Sequence, residues 1–200
     1  MTGPRLGVFG GAFDPPHAAH VALAEAALDQ LQLDELRIFP TGQAWHKPQP
    51  LSAPEHRLAM ARLAFGGLPR TVIDDRELRR PGPTYTIDTL RELKAEQPAA
   101  CLFLVMGEDQ AVSLTRWRDW QAVLELAAIC MAARPSAQAP AGAAQPSLPA
   151  QAQVRVLRLP DMPESATEVR ERAAGGDDIT HLVSPAVASY IERHHLYQPA

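Results

Sequence analysis

The chain has 200 residues, of which 46 % are hydrophobic, and a formal net charge of −4. This length is most simply one domain, spanning 1–200, with enough apolar side chains for a substantial core. The negative charge provides no basic field for non-specific nucleic-acid binding, and no apolar run is long enough to predict a membrane span. We therefore expect neither nucleic acid nor a membrane as a partner.

The two cysteines, Cys101 and Cys130, lie in short apolar runs that are typical of buried strands. The chain has no C-x-x-C spacing, and its start, MTGPRLGVF, has no apolar signal segment. We interpret both cysteines as core thiols in a reducing, cytoplasmic compartment. Nothing in the sequence indicates the oligomeric state.

Apolar runs alternate with segments of helical spacing along the chain. In order, we predict a strand over 5–9, a helix over 18–30, a strand over 35–40, a helix over 53–65, a strand over 70–75, a helix over 86–97, a strand over 100–107 with a short helix after it, strands over 127–133 and 154–160, and helices over 166–174 and 184–195. Ser52 is the expected cap of the second helix, with Pro54 in its first turn. Residues 134–153, rich in Ala and Pro, predict a mobile surface loop.

This alternation predicts an α/β fold, a Rossmann-like doubly wound parallel sheet flanked by helices. Ligands of such sheets bind at the carboxyl ends of the strands, where the strand order reverses. Residues 10–16, 41–52 and 107–109 are therefore expected on one rim.

The first of these connections reads GGAFDPPHAAH, from Gly10 to His20. Glycines directly after a buried strand let the backbone approach a ligand that a Cβ would keep away, and the start of the next helix suits a phosphate. The segment contains neither G-x-G-x-x-G nor G-x-x-x-x-G-K-[ST], so the common dinucleotide and P-loop interpretations fail. By itself it indicates only an anion near a strand–helix turn.

His17 and His20 stand three residues apart at the start of the next helix, so they face the same side. As donors, and partly as cations near pH 7, they could neutralise charge that develops on a phosphoryl group. For an arbitrary H-x-x-H pair, the alternative is an exposed or core-satisfied pair. A metal site is disfavoured because no cysteine or acidic partner stands at a telling spacing, and we expect no metal ligand. The glycine turn in front favours the phosphate interpretation.

The segment resembles the G-G-x-F-D-P-x-H-x-G-H signature of the nucleotidyltransferase superfamily, with Ala19 where a glycine is usual. Members of that superfamily join the α-phosphate of a nucleotide to a phosphate acceptor and release pyrophosphate. The resemblance implies a fold of the nucleotidyltransferase type and catalytic roles for His17 and His20. It also implies ATP phosphate contacts at Gly10, Gly11, Ala12 and Phe13.

A second segment, ESATEVR, resembles the I-S-S-T-x-I-R motif of the same superfamily. The resemblance implies that Ser165, Thr167, Arg170 and the N–H groups of a helix start hold the β- and γ-phosphates of ATP. Glu164 and Ala166 replace the usual isoleucine and second serine. The alternative is a simple helix cap with a solvated arginine.

The stretch RRPGPTYTIDTL, residues 79–90, bears on the acceptor. Pro-Gly-Pro predicts a turn, after which Thr84 or Thr86 can cap a helix with Asp88 in its first turn, and such a start suits a small carboxylate. A well-capped helix is the alternative. The stretch resembles the segment that nicotinate-nucleotide adenylyltransferases place around the pyridine carboxylate, which implies nicotinate contacts at Thr84, Tyr85 and Thr86.

Two further segments resemble that family. In GEDQAVSLTRWRDW, the resemblance implies Gly107 and Asp109 at the nucleotide, with Asp109 accepting from a ribose hydroxyl, and Trp117 against the nicotinate ring. In WHKPQP, it implies Lys47 as a cation over the phosphates.

The resemblance implies adenylyl transfer from ATP to nicotinic acid mononucleotide, which gives deamido-NAD and pyrophosphate. The attacking phosphate is already an anion, so no general base is expected, and His17, His20, Lys47 and Arg170 supply positive charge. Mg²⁺ would arrive with ATP, held by its phosphates and water. The alternatives are another small transferase, such as pantetheine-phosphate adenylyltransferase, or a nucleotide-binding module without activity.

Overall fold

The computed structural model describes residues 3–43, 51–133, 149 and 152–198. Lys47 and most of the Ala/Pro-rich loop expected at 134–153 lie outside the described residues. Within the described ranges, no helix is long and apolar enough to cross a membrane.

The described strands form a six-stranded sheet in the order β3-β2-β1-β4-β5-β6. Their bounds are Arg5–Gly11 for β1, Glu35–Pro40 for β2, Thr71–Ile73 for β3, Cys101–Met106 for β4, Ala127–Ala133 for β5 and Val154–Arg158 for β6. The pairs β1–β4, β4–β5 and β5–β6 are parallel. The strand order reverses between β1 and β4, which confirms the doubly wound parallel sheet expected from the alternating pattern.

The helices fall close to their predicted positions. They are α1 (Ala18–Gln30), α2 (Pro54–Phe65), α3 (Arg76–Arg79), α4 (Thr86–Glu96), α5 (Glu108–Ser113), α6 (Trp120–Leu126), α7 (Ala166–Gly175) and α8 (Pro185–Arg193), with a 3-10 helix over Leu114–Arg116. Helix α3 was not expected from the sequence. It begins at Arg76, directly after the strand predicted over 70–75. That strand was predicted too long, because β3 has only three residues.

The chain divides into two compact units, and each of them is built from separate stretches of sequence. The first comprises Met1–Gly10, Leu23–Arg37 and Tyr85–Asp161, and the second comprises Gly11–Ala22, Ile38–Thr84 and Met162–Ala200. In the first unit, α4 buries Ile87, Leu90 and Leu93, the apolar stripe that its sequence spacing predicts.

The second unit has a core that joins its carboxyl-terminal helices to α2. The buried members of this cluster are Met60, Val169, Ile179, Leu182, Val183, Val187 and Ile191. Burial of each large aliphatic side chain contributes about 1.5–3 kcal/mol. Because Val169 lies on α7 and Met60 on α2, this core fixes the start of α7 against the body of the unit.

The two cysteines are free thiols with different surroundings. Cys130 is buried and Cys101 is half-buried, so the prediction that both are core thiols is wrong for Cys101. Burial raises the pKa of Cys130 to about 12, which keeps it an inert thiol at neutral pH.

Candidate active site

The two glycines at the end of β1 serve different purposes. A Cβ added at Gly10 would meet no heavy atom of the described residues within 4 Å, whereas one at Gly11 would lie 2.9 Å from the Phe13 ring carbons Cε1 and Cζ. Gly11 is therefore required by packing within the protein. Gly10 has no such requirement among the described residues, and the approach of a ligand to it stays a prediction.

Phe13 was expected at the phosphates, but its side chain belongs to the core. The ring is 1 % exposed and meets the rings of Phe65 and His20 edge-on, at centroid distances of 5.2 and 5.3 Å. Its backbone has a φ of 47°, which is unusual for a bulky residue and is held by this packing. Only main-chain groups of Phe13 could therefore face a phosphate.

His17 and His20 lie together at the start of α1, as their spacing predicts. Their ring centroids are 3.8 Å apart, and the backbone N–H of His17 donates to Nδ1 of His20 over 3.3 Å. The carbonyl of His17 accepts from the backbone N–H groups of His20 and Val21, so His17 caps the helix and His20 reaches back to it. Since Nδ1 of His20 acts as an acceptor, a neutral His20 carries its proton on Nε2.

The charge state of His17 differs from the expectation. His17 is 8 % exposed, and desolvation by burial lowers its pKa to about 4. Its Nδ1 is buried and has no hydrogen-bond partner among the described residues. The prediction of partial positive charge near pH 7 is therefore wrong for His17 in the protein's own environment.

The second predicted motif forms the start of α7. Ser165 is the cap, and its Oγ accepts from the backbone N–H of Glu168 over 3.2 Å. Arg170 donates from Nη2 to Oγ1 of Thr167 over 3.2 Å, and from Nη1 to the carbonyl of Asp14 over 2.8 Å. The structure thus brings Arg170 to the loop that leads into His17, although 156 residues separate Arg170 from Asp14.

Glu164, which stands where the superfamily usually has isoleucine, precedes this cap. Its Oε2 is buried and has no hydrogen-bond partner among the described residues. A buried, unpaired carboxylate oxygen is costly, and here it lies next to a helix start that favours anions. Glutamate in place of isoleucine thus puts a carboxylate beside a predicted phosphate site.

Asp14 and Arg57 are among the buried charged residues of the second unit that sequence reasoning missed. Asp14 is 5 % exposed, and its carboxylate accepts from Oη of Tyr197 over 2.7 Å and from the N–H of Ser52 over 2.9 Å. Arg57, on α2, is 2 % exposed and donates to backbone carbonyls of three segments. The burial of Arg57 was indicated by its spacing, because it stands three residues before Met60 and four before Ala61, on the apolar face of α2.

The predicted threonine cap of α4 is wrong, as is the predicted serine cap of α2. Tyr85 occupies the cap position of α4 and Ala53 that of α2, and neither helix has a side-chain cap bond. Thr84 is buried, its N–H donates to the carbonyl of Gln43, and its Oγ1 lies 3.5 Å from the carbonyl of Glu77. Its hydroxyl is thus directed into the second unit, whereas Asp88 does lie in the first turn of α4.

The other predicted contacts of the acceptor lie in the first unit, as do Gly107 and Asp109, which were predicted to contact the nucleotide. Thr86 begins α4, and the guanidinium carbon of Arg118 lies 4.7 Å from the centroid of the Tyr85 ring. Trp117 ends the 3-10 helix and is half-buried. Gly107 precedes α5, and the carboxylate of Asp109 folds back over it, 2.7 Å from where a Cβ on Gly107 would be.

The predicted site residues are therefore divided between the two units. The second unit holds Gly11, Ala12, Phe13, His17, His20, Thr84, Ser165, Thr167 and Arg170, and the first holds Gly10, Tyr85, Thr86, Gly107, Asp109 and Trp117. In the second unit, hydrogen bonds and ring contacts connect the histidine pair, Asp14 and Arg170 through one loop.

The sheet order and this loop define a class of proteins, the cytidylyltransferase-like nucleotidyltransferases. Residues 8–172 match the family model described as cytidylyltransferase-like. Among solved structures, the nicotinic acid mononucleotide adenylyltransferase of Plasmodium falciparum complexed with NaAD has the same fold, with a TM-score of 0.77, 19 % identity and 97 % coverage of both chains.

Curated relatives narrow this class. The chain is 53 % identical to the probable nicotinate-nucleotide adenylyltransferase of Albidiferax ferrireducens, over 98 % of this chain and 99 % of the relative. It is 40 % identical to the protein of the same name from Chromobacterium violaceum, over 97 % of this chain and 99 % of the relative. The chain belongs to the nicotinate-nucleotide adenylyltransferase family.

Proposed function

We propose that the protein transfers the adenylyl group of ATP to nicotinic acid mononucleotide and releases pyrophosphate. The observation that carries this proposal is the close pair of His17 and His20 at a helix start, with Arg170 bonded to the loop in front of it. Such an arrangement gathers donors and a cation where phosphoryl groups can bind. The names of the curated relatives support the choice of substrates.

In the proposed reaction, a phosphate oxygen of the mononucleotide attacks the α-phosphorus of ATP. The bond from that phosphorus to the bridging oxygen breaks, and pyrophosphate leaves with the electron pair. No proton is transferred in this step, so the protein has to align the phosphates and offset their charge. The Nε2–H of His20, fixed by the bond that its Nδ1 accepts from His17, is a ready donor to a phosphoryl oxygen.

Arg170 and the start of α7 are proposed to hold the departing pyrophosphate. The bonds of Arg170 to Thr167 and to the Asp14 carbonyl fix the direction of its guanidinium. Backbone N–H groups at a helix start add partial positive charge without a further cation. Lys47 is proposed to add a second cation.

Among the described residues, no group of three His, Cys, Asp or Glu side chains could hold a metal ion. We propose that Mg²⁺ comes with ATP, bound to its phosphates and water.

For the acceptor, we propose that the N–H groups at the start of α4 bind the pyridine carboxylate, with Tyr85, Thr86 and the main chain of Thr84 around it. Trp117 is proposed to lie against the ring and Asp109 to accept from a ribose hydroxyl. We further propose that residues 1–200 form one nucleotidyltransferase domain and that the protein acts in the cytoplasm.

A substrate comparison tests the proposal. ATP is supplied with nicotinic acid mononucleotide, nicotinamide mononucleotide or phosphopantetheine, and pyrophosphate release and product mass are measured. We expect a dinucleotide product chiefly with the acid. No product with the acid would refute the function, and equal rates with the amide would refute the carboxylate argument.

The role of His20 is tested by His20→Ala, with His181→Ala, an exposed histidine of the same unit, as the control. Loss of one such donor lowers kcat by about 10²–10³, or about 2.7–4 kcal/mol. Wild-type turnover by His20→Ala would show that the residue has no catalytic role.

A further inference from the structure

We propose that Arg57 is a positioning residue for adenylyl transfer: its guanidinium holds together the three segments that lead to the predicted phosphate-binding groups. This inference rests on the proposed function for its kinetic readout. The residue lies in the first turn of α2, a helix in which the sequence predicted no site residue.

Each of the bonds from Arg57 reaches a different connecting segment. Nη1 donates to the carbonyl of Ala12, after β1, over 3.1 Å, and to the carbonyl of Thr41, after β2, over 2.6 Å. Nε donates to the carbonyl of Ser52, just before α2, over 3.0 Å. The first segment continues to His17, and the other two carbonyls stand on either side of Lys47 in the sequence.

The same segments are also joined to each other around Arg57. The N–H of Thr41 donates to the carbonyl of Gly11 over 2.8 Å, so the ends of β1 and β2 are fixed together. The peptide groups of Ser52 lie between opposite charges, because its N–H donates to Asp14 and its carbonyl accepts from Arg57. A shift of Arg57 would therefore move all three segments and not one alone.

The charge of Arg57 is matched inside the protein. Burial lowers its pKa and the nearby Asp14 carboxylate raises it, and an arginine in such a position stays charged. The carbonyl of Asp14 accepts from Arg170, so one residue is coupled to both arginines. Because the carbonyl oxygens of Ala12, Thr41 and Ser52 accept from Arg57, the negative ends of these three peptide dipoles face its guanidinium. Those oxygens would otherwise be free to repel a phosphate.

The variant Arg57→Lys distinguishes the positioning role of Arg57 from the effect of its positive charge. Arg57→Lys keeps the cation beside Asp14, but a compact ammonium cannot reproduce the fork that spans several carbonyls. Arg62→Lys, at an exposed arginine in the last turn of the same helix, is the matched control. The measurements are the unfolding temperature, kcat and KM for both substrates, and hydrogen exchange of the backbone over 11–17 and 51–53.

We expect a folded Arg57→Lys protein with kcat lower by about 10²-fold, since a displacement of about 1 Å has effects of that size. KM values should change by less than about threefold, since the groups that contact substrate remain, and exchange over 11–17 and 51–53 should be faster. Arg62→Lys should show neither effect. Where Arg57→Lys does not fold, Arg57→Gln is judged by the same measurements.

A folded Arg57→Lys protein with wild-type kcat and wild-type exchange would overturn the proposal. If the wild-type protein forms no dinucleotide, the proposed function fails, and exchange alone then decides the role of Arg57. Faster exchange in Arg57→Lys but not in Arg62→Lys supports the role, and equal exchange in both refutes it.

Discussion

The neighbouring glycines Gly10 and Gly11 offer a direct separation of folding from ligand binding. The backbone of Gly10 lies outside the left-handed region, and in the part of the chain that the structure describes a Cβ there would meet nothing within 4 Å. Gly10→Ala should therefore leave the fold unstrained and raise the free energy of unfolding by about 0.4–1 kcal/mol, because alanine restricts the unfolded chain. If a phosphate must approach this backbone closely, the added methyl group should lower kcat/KM for ATP by about 10²-fold, or about 2.7 kcal/mol.

Gly11→Ala should have the opposite pattern of effects on stability. Its Cβ would lie 2.9 Å from two carbons of the buried Phe13 ring, so the ring must shift within a packed core. Overpacking of this kind lowers the free energy of unfolding by about 1–3 kcal/mol. Urea unfolding gives the stability of both variants, and pyrophosphate release under varied ATP gives kcat/KM. A stable Gly10→Ala protein with wild-type kcat/KM would refute the reasoning that Gly10 is kept for the ligand.

Two further predictions concern charge. The pKa of His17 is lowered from 6.5 to about 4 by burial. Between these pH values, His17 is therefore protonated in the unfolded chain and neutral in the folded chain. Stability should therefore fall by up to about 3 kcal/mol as pH drops from 6.5 toward 4, and urea unfolding of His17→Gln should lack this component. Glu164→Gln removes negative charge beside the start of α7 and should lower KM for ATP by about two- to fivefold, whereas Glu171→Gln, at an exposed position of α7, should not. An unchanged KM in Glu164→Gln would show that its carboxylate does not repel ATP.

Element positions could be predicted where the sequence itself contains the stop signal. Strand β2 ends at Pro40 as predicted, since proline cannot continue the ladder, and α1 follows the turn after β1. The third strand was predicted too long because its aspartates have a different role. Asp74 accepts from the backbone and side chain of Arg76, and Asp75 occupies the cap position of α3. Both aspartates therefore belong to the start of the helix, and the strand ends at Ile73.

Side-chain roles that depend on tertiary contacts could not be predicted in this way. Ser52 is a good cap by residue type, but its N–H is bonded to Asp14, which lies 38 residues earlier. Thr84 likewise faces Glu77 instead of capping α4. The pairing of the two histidines was predictable, because helical spacing alone brings their rings together.

The electrostatics of the histidine pair depend on its burial more than on its sequence. Two imidazolium rings with centroids 3.8 Å apart would repel each other, and burial of His17 avoids this by keeping one ring neutral. Bound phosphates would act in the opposite direction, since nearby anions favour the protonated imidazole and raise its pKa. In the proposed reaction, the positive charge of the pair would then be gained with the substrate, while the guanidinium of Arg170 would be in place beforehand. We propose that such a site buries His17 at little cost to folding near neutral pH and still supplies charge when the phosphoryl group is transferred.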